Sequence, residues 1–234
     1  MSIPNINAAT YTAVLPSNGK SISFRPFNVR EQTKILIAMQ ESDTTALNTA
    51  IKVIEDCTNI KVENLPVFDF EYLLLKIRSK SAGETIEMNG VCECSGKTPI
   101  IIDLDKVIVK GVDKKLKPIK LSEESSVKMK YPTIMDISAT EKMDEVEGVF
   151  AVMSSCIDEI YIGEDVYSSR DQTKEDLDGF IDNLTTGQFK LLQEFFDKIP
   201  KISHLVEFKC IKCGKDNTVL MEGIDTFFAG IDES

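Results

Sequence analysis

The side chains best suited to chemistry are four cysteines in two short turns. In "HLVEFKCIKCGKDNTVLMEG", residues 204–223, Cys210 and Cys213 form a C-x-x-C-G turn between two strand-like runs. That is the shape of half a zinc-ribbon site, where two thiolates converge on one metal. In "NGVCECSGKTPIIID", residues 89–103, Cys92 and Cys94 occupy an almost matching turn. Four thiolates about 2.3 Å from one ion satisfy tetrahedral zinc. The expectation is therefore one structural zinc held by Cys92, Cys94, Cys210 and Cys213, with Gly96 and Gly214 supplying permissive backbone after the ligands. Cys-x-Cys is a poorer chelate than Cys-x-x-Cys, so the competing reading keeps four reduced thiols at a site that has lost its metal. Aligned at the lysine that follows each turn, Ser95 stands opposite Cys213.

Other chemistries find less support. Cys57 and Cys156 lie among apolar neighbours in helical segments and read as buried structural thiols. His204 is the single histidine and reads as a surface or packing residue, which leaves little for general-base catalysis. No serine stands in a G-x-S-x-G turn, and neither of the glycine-rich phosphate loops occurs. The acids of "EKMDEVEG" read as a solvated helix face. No catalytic residue is assigned, and the chain reads as a non-enzyme.

These turns need elements to position them. The chain has 234 residues, 42% hydrophobic and 28% charged, which suits one or two domains with a real core. No apolar run reaches the roughly 20 residues of a membrane span, and "MSIPNINAATYTAV" lacks the regions of a secretory leader. The expectation is a protein made and kept in a cytoplasm, where cysteines favour metal or buried thiols over disulfides. Net charge is -11. It is unevenly placed: residues 1–121 carry 16 basic against 14 acidic side chains, and residues 122–234 carry 11 against 24. The acidic part would repel a polyanion. The one basic run, "KGVDKKLKPIK", reads as a solvated linker.

The chain reads as two related halves. "SISFRPFNVREQ" is a strand running into a helix, with Asn28 as N-cap and Glu31 completing a capping box, and "SVKMKYPTIMDI" has the same shape. Cys57 and Cys156 follow at equivalent places. Amphipathic helices, "FDFEYLLLKIRSK" and "TGQFKLLQEFFDKI", come next, and each leads to strand, cysteine turn, strand. The fold class is α+β by internal duplication, each half carrying helices and short antiparallel hairpins that end in a cysteine turn. The halves are 1–121 and 122–234, the second with an inserted hairpin or loop and short helix at 163–184. An Asn18-Gly19 turn suggests a further tight hairpin at the start.

Three stretches carry a family likeness: "LPSNGKSISFRPFNVREQTKILIA", "LPVFDFEYLLLKIRSKSAGETIEM" and "FKCIKCGKDNTVLMEGIDTFFA". Together they resemble the baseplate hub proteins of T4-like tailed phages, over most of the chain. The resemblance implies a virion protein or hub assembly factor without enzymatic activity. Its partners would be other hub or tail proteins, met in the host cytoplasm during assembly or in the tail baseplate. Two alternatives remain. A zinc-ribbon module that binds nucleic acid would need a basic, aromatic-lined face beside Lys97, Lys209, Lys212 and Lys215. A cysteine-dependent oxidoreductase would need an accessible thiolate of low pKa at Cys210.

Overall fold

The computed structural model describes residues 9–41 and 43–227. Most of the N-terminal stretch read for a leader, and the last residues of the expected second repeat, lie outside the described residues. In chain order the elements are β1 (Tyr11–Val14), β2 (Ser21–Phe24), α1 (Val29–Glu41), α2 (Asp43–Thr58), α3 (Val67–Ala82), β3 (Thr85–Val91), β4 (Lys97–Asp103) and β5 (Ile108–Lys110). They continue as β6 (Ile119–Lys120), β7 (Ser125–Met129), α4 (Ile134–Ser138), α5 (Glu145–Ser155), β8 (Ile157–Ile162), β9 (Asp165–Ser168), α6 (Lys174–Asp182), α7 (Thr186–Asp197), β10 (Lys201–Lys209) and β11 (Asp216–Glu222). Every ladder among them is antiparallel, so the class is α+β as expected. No helix among the described residues is long and apolar enough to cross a membrane.

The elements gather into two compact units. The first takes the described residues up to 62, 68–110 and 200 onward; the second takes 63–67 and 111–199. This corrects the expected division at residue 121. The cause is a strand pairing: β10 is hydrogen-bonded to β5, with Lys201 opposite Lys110 and Ser203 opposite Ile108. The last hairpin therefore joins the sheet of the first unit, in the order β11-β10-β5. Composition alone cannot reveal such a return, because β5 is only three residues long and carries no pattern that names its partner.

Within the first unit, β1 and β2 form a hairpin whose loop is longer than a two-residue turn. Leu15 N–H donates to Lys20 O and Gly19 N–H to Leu15 O, and the positive φ of 75° falls on Gly19. Helix α1 begins as its sequence requires. Glu31 N–H donates to Asn28 Oδ1 at 3.0 Å and Asn28 N–H to Glu31 Oε2 at 2.8 Å, a reciprocal capping box. The same carboxylate accepts two bonds from the Arg25 guanidinium, at 2.9 and 2.7 Å. Helix α3 buries Phe68, Phe70, Leu73, Leu74, Leu75 and Ile77, and with them the polar Asp69, Arg78 and Ser79, so it is covered on several sides although its sequence is amphipathic. Leu75 of α3 joins Ile86 and Ile102 of the β3–β4 hairpin and Ile202, Val206 and Met221 of the β10–β11 hairpin in one core. Both cysteine hairpins thus rest on the same apolar cluster.

The second unit is a β6-β7-β8-β9 meander with helices α4 to α7. Its core is built from Val127, Met129, Met153, Ile157, Ile181 and Leu192. Thr133 with Asp136, Thr173 with Asp176, and Thr185 with Gln188 form capping boxes, so three helix starts are written locally in the chain. The segment 163–184 holds β9 and the short helix α6, close to expectation. Its hairpin begins earlier, however, because β8 supplies the partner strand of β9.

The Arg25–Glu31 contact yields a stability prediction. Hydrogen bonds from Arg25 hold the Glu31 carboxyl below the usual range, against the opposing effect of burial. A depressed acid pKa gives stability that is full above the unfolded value and lost as pH falls through the folded one. Glu31→Gln should cost about 1–3 kcal/mol at pH 7. The deficit should shrink as pH is lowered below about 4, measured by denaturant unfolding at several pH values.

Candidate metal centre

Each cysteine pair sits in the loop of a hairpin, and the loops differ in length. In the first, Cys92 N–H donates to Gly96 O at 3.0 Å and Ser95 N–H to Cys92 O at 2.8 Å, leaving three residues between the paired ends. In the second, Cys210 N–H donates to Lys215 O and Gly214 N–H to Cys210 O, both at 2.8 Å, leaving four. By backbone geometry Gly96 therefore corresponds to Lys215, and Ser95 to Gly214. These last two both take positive φ, 59° and 74°. Cys94 and Cys213 each stand one residue before that left-handed position. The sequence alignment that set Ser95 against Cys213 is thus corrected by one residue: a shorter loop, rather than a displaced ligand, accounts for Cys-x-Cys. The backbone role expected of Gly96 passes to Ser95. Gly96 instead provides space, for a Cβ there would lie 2.8 Å from Cys210 Sγ and 2.9 Å from Lys212 Cβ.

The two loops face each other and the four sulfurs meet. Cys92 Sγ is 3.7 Å from Cys213 Sγ, and Cys94 Sγ is 3.6 Å from Cys210 Sγ. All four lie within 4.8 Å of one another. The first cysteine of each loop opposes the second of the other, the reciprocal pattern of a twofold arrangement. A tetrahedron with Zn–S of about 2.3 Å has S···S edges of about 3.8 Å. The donor set matches that requirement in number and type, two of its S···S distances match the edge length, and the cysteines are free thiols. Cys92 and Cys210 are buried, Cys94 is half-buried and Cys213 is exposed. His204, on β10 opposite Met221, is not among the clustered ligands.

The surroundings hold the loops together through bonds that no local motif announces. Ile211 N–H donates to Thr98 Oγ1 at 3.2 Å, Lys212 Nζ to Cys94 O at 3.1 Å, and Lys215 pairs with Glu93 at 2.5 Å. Beneath them the Phe208 ring packs on Gly90, where a Cβ would come within 2.7 Å of ring carbons. Each contact joins residues more than a hundred positions apart, so spacing within either loop carries no signal of it.

Electrostatics separates the sulfurs. Backbone N–H groups of Cys213 and Lys212 favour a thiolate at Cys210 and bring it down to about 6. The Cys213 side chain, with Cys210 and Cys92, pushes Cys94 up to about 12. Neighbouring thiols that share protons behave in this way, since adjacent anions repel. The low value at Cys210 does not make it a nucleophile for external substrates, because its side chain is buried. Cys57 and Cys156 are buried as expected, and burial pushes their thiols up to about 11 and about 12. Of the four lysines the nucleic-acid alternative would use, Lys212 and Lys215 are engaged with Cys94 O and Glu93, and Phe208, the aromatic side chain of these hairpins, is buried.

Comparison with known families finds one match, to the profile described as T4 bacteriophage base plate protein, over residues 8–229. Neither curated proteins nor solved structures give a match.

The different jobs of the two glycines can be separated by mutation. Gly96→Ala should destabilise the protein by about 1–3 kcal/mol through overpacking against Cys210 and Lys212. Gly214→Ala meets no atom within 4 Å and should cost about 1–2 kcal/mol through its left-handed backbone alone. Denaturant unfolding gives both costs, and a thiol-reactivity assay should show Cys210 newly accessible only in Gly96→Ala.

Proposed function

The chain belongs to the T4 bacteriophage base plate protein family, and from that membership we propose a non-enzymatic role in the central hub of the baseplate. It acts there as a hub component or as a factor in hub assembly, through contacts with other hub or tail proteins. Its places of action are the host cytoplasm during assembly and the tail baseplate of the virion. The family match across residues 8–229 carries this reading. Immunoprecipitation from infected cells tests it: hub or tail proteins should be recovered with the chain, and their absence would overturn the assignment.

In this reading Cys92, Cys94, Cys210 and Cys213 hold one zinc ion as a structural staple. A four-cysteine set leaves no open coordination position, so it suits stability rather than catalysis. The ion would neutralise thiolates that otherwise repel, and its binding would add to folding by joining two distant hairpins.

The reading also includes an internal duplication. Two correspondences support it beyond the cysteine loops. Arg25 N–H donates to Cys57 O at 3.0 Å, and Lys130 N–H donates to Cys156 O at 2.7 Å. The capping boxes Asn28/Glu31 and Thr133/Asp136 follow those two basic residues at the same interval. In a duplicated chain the paired loops would be the pseudo-twofold mates of each other, and the segment 163–184, with β9 and α6, would be the later addition.

Metal content is the direct test of the staple. Protein purified without chelators should contain about one zinc per chain. Cys210→Ser should lose it, with a fall in melting temperature that chelator reproduces in the wild type. Protein that contains no zinc, and whose stability added zinc leaves unchanged, would show four spectator thiols.

A further inference from the structure

Helix α5 has an uneven burden. Its last turn is anchored by buried Met153 and Ser154, yet its first two turns expose Val146 at 67%, Val149 at 48% and Phe150 at 37%. These three stand at i, i+3 and i+4, so they form one apolar ridge. A groove runs on either side. One, about 500 Å³, has Met143, Val149, Val152 and Phe196 in its wall; the other, about 440 Å³, has Met143, Val146, Phe150 and Ile181. Both are within the size that takes side-chain anchors. Phe150 is held in place by stacking on Phe189 at 5.1 Å.

The rims are acidic. Asp144, Glu145 and Asp197 border the first groove, and Glu147, Asp178 and Asp182 border the second, with Lys174 the basic residue there. From residue 141 to 182 the chain carries thirteen Asp and Glu against three Lys and Arg. We propose that this face docks an amphipathic helix of a partner protein, with an apolar stripe between rows of Lys and Arg. The ridge and grooves supply the contact for the stripe, and the rims supply steering and register for the cations. A second copy of the chain is disfavoured as occupant, because it would bring the same carboxylates against themselves. The docking face deepens the hub reading by giving its protein contacts a location.

The test uses the full chain and a labelled helical peptide of Leu and Lys, about 18 residues long, with Leu at i, i+3, i+4 and i+7. A Leu/Glu peptide of the same pattern is the control. Fluorescence anisotropy should show saturable binding of the Leu/Lys peptide at about 20 mM salt, weakened at about 300 mM. The Leu/Glu peptide should not bind. Val146→Ser with Val149→Ser should weaken binding at least about tenfold, and Glu145→Lys with Glu147→Lys should slow association. All four positions are exposed, and circular dichroism checks that the variants are folded. The proposal is overturned if folded variants bind as the wild type does, or if the wild type does not bind at low salt. It is also overturned if the wild type sediments as a dimer that the valine variants dissociate. Hub proteins co-purifying equally with wild type and variants would sink this face while sparing the hub reading; peptide binding without any hub partner would do the reverse.

Discussion

Two hairpins separated by more than a hundred residues close on each other, and the organisation of the first unit depends on that contact. The sulfur pairs join positions 121 and 116 residues apart in sequence. Closing so long a loop costs conformational entropy, though the cost grows only logarithmically with length. It is offset where many contacts form together. Here the common core under α3, the β10–β5 ladder and the bonds between the loops all engage at once. The same ladder places the strand leading into residues 111–199 beside the strand leading out of them.

The site is specified by backbone before side chains. Each loop must return its strand in register and also aim two thiols to the same side. The four-residue loop achieves this with left-handed Gly214, and the three-residue loop achieves it with left-handed Ser95, a non-glycine residue in a conformation that favours glycine. Placing each second cysteine immediately before the left-handed residue lets loops of unequal length present equivalent ligands. Gly96 and Gly90 then permit close approach, one to a sulfur and the other to the Phe208 ring. Such a site has its chemistry in the side chains and its precision in the turns.

The second unit is built for a different task. Its helix starts are locally capped and its core is complete around Met129, Met153 and Leu192. The apolar ridge of α5 is left outside that core and is bordered by carboxylates. In the proposed reading, a zinc-stapled first unit and an acidic second unit with an apolar ridge divide stability from recognition.

Much of this was legible in the chain because the signals are local. The capping box at Asn28 and Glu31, the helical apolar spacing of "FDFEYLLLKIRSK", the strands on either side of both cysteine turns and the buried places of Cys57 and Cys156 depend on neighbours within a few positions. The four cysteines were legible as candidates, because each turn sets two thiols close together in the chain; that the two turns meet was shown by the structure. The division at residue 121 was not, because it followed composition whereas the compact units follow the pairing of β10 with β5. The loop alignment failed for a related reason: a flanking lysine is a weak marker, and only the hydrogen bonds of Cys92 and Cys210 show which residues turn. Sequence by itself determined the elements and the candidate thiols, through short-range backbone and solvation preferences. Tertiary structure alone decided which distant hairpins meet, because antiparallel strands with the same alternation accept many partners and a shared core selects one.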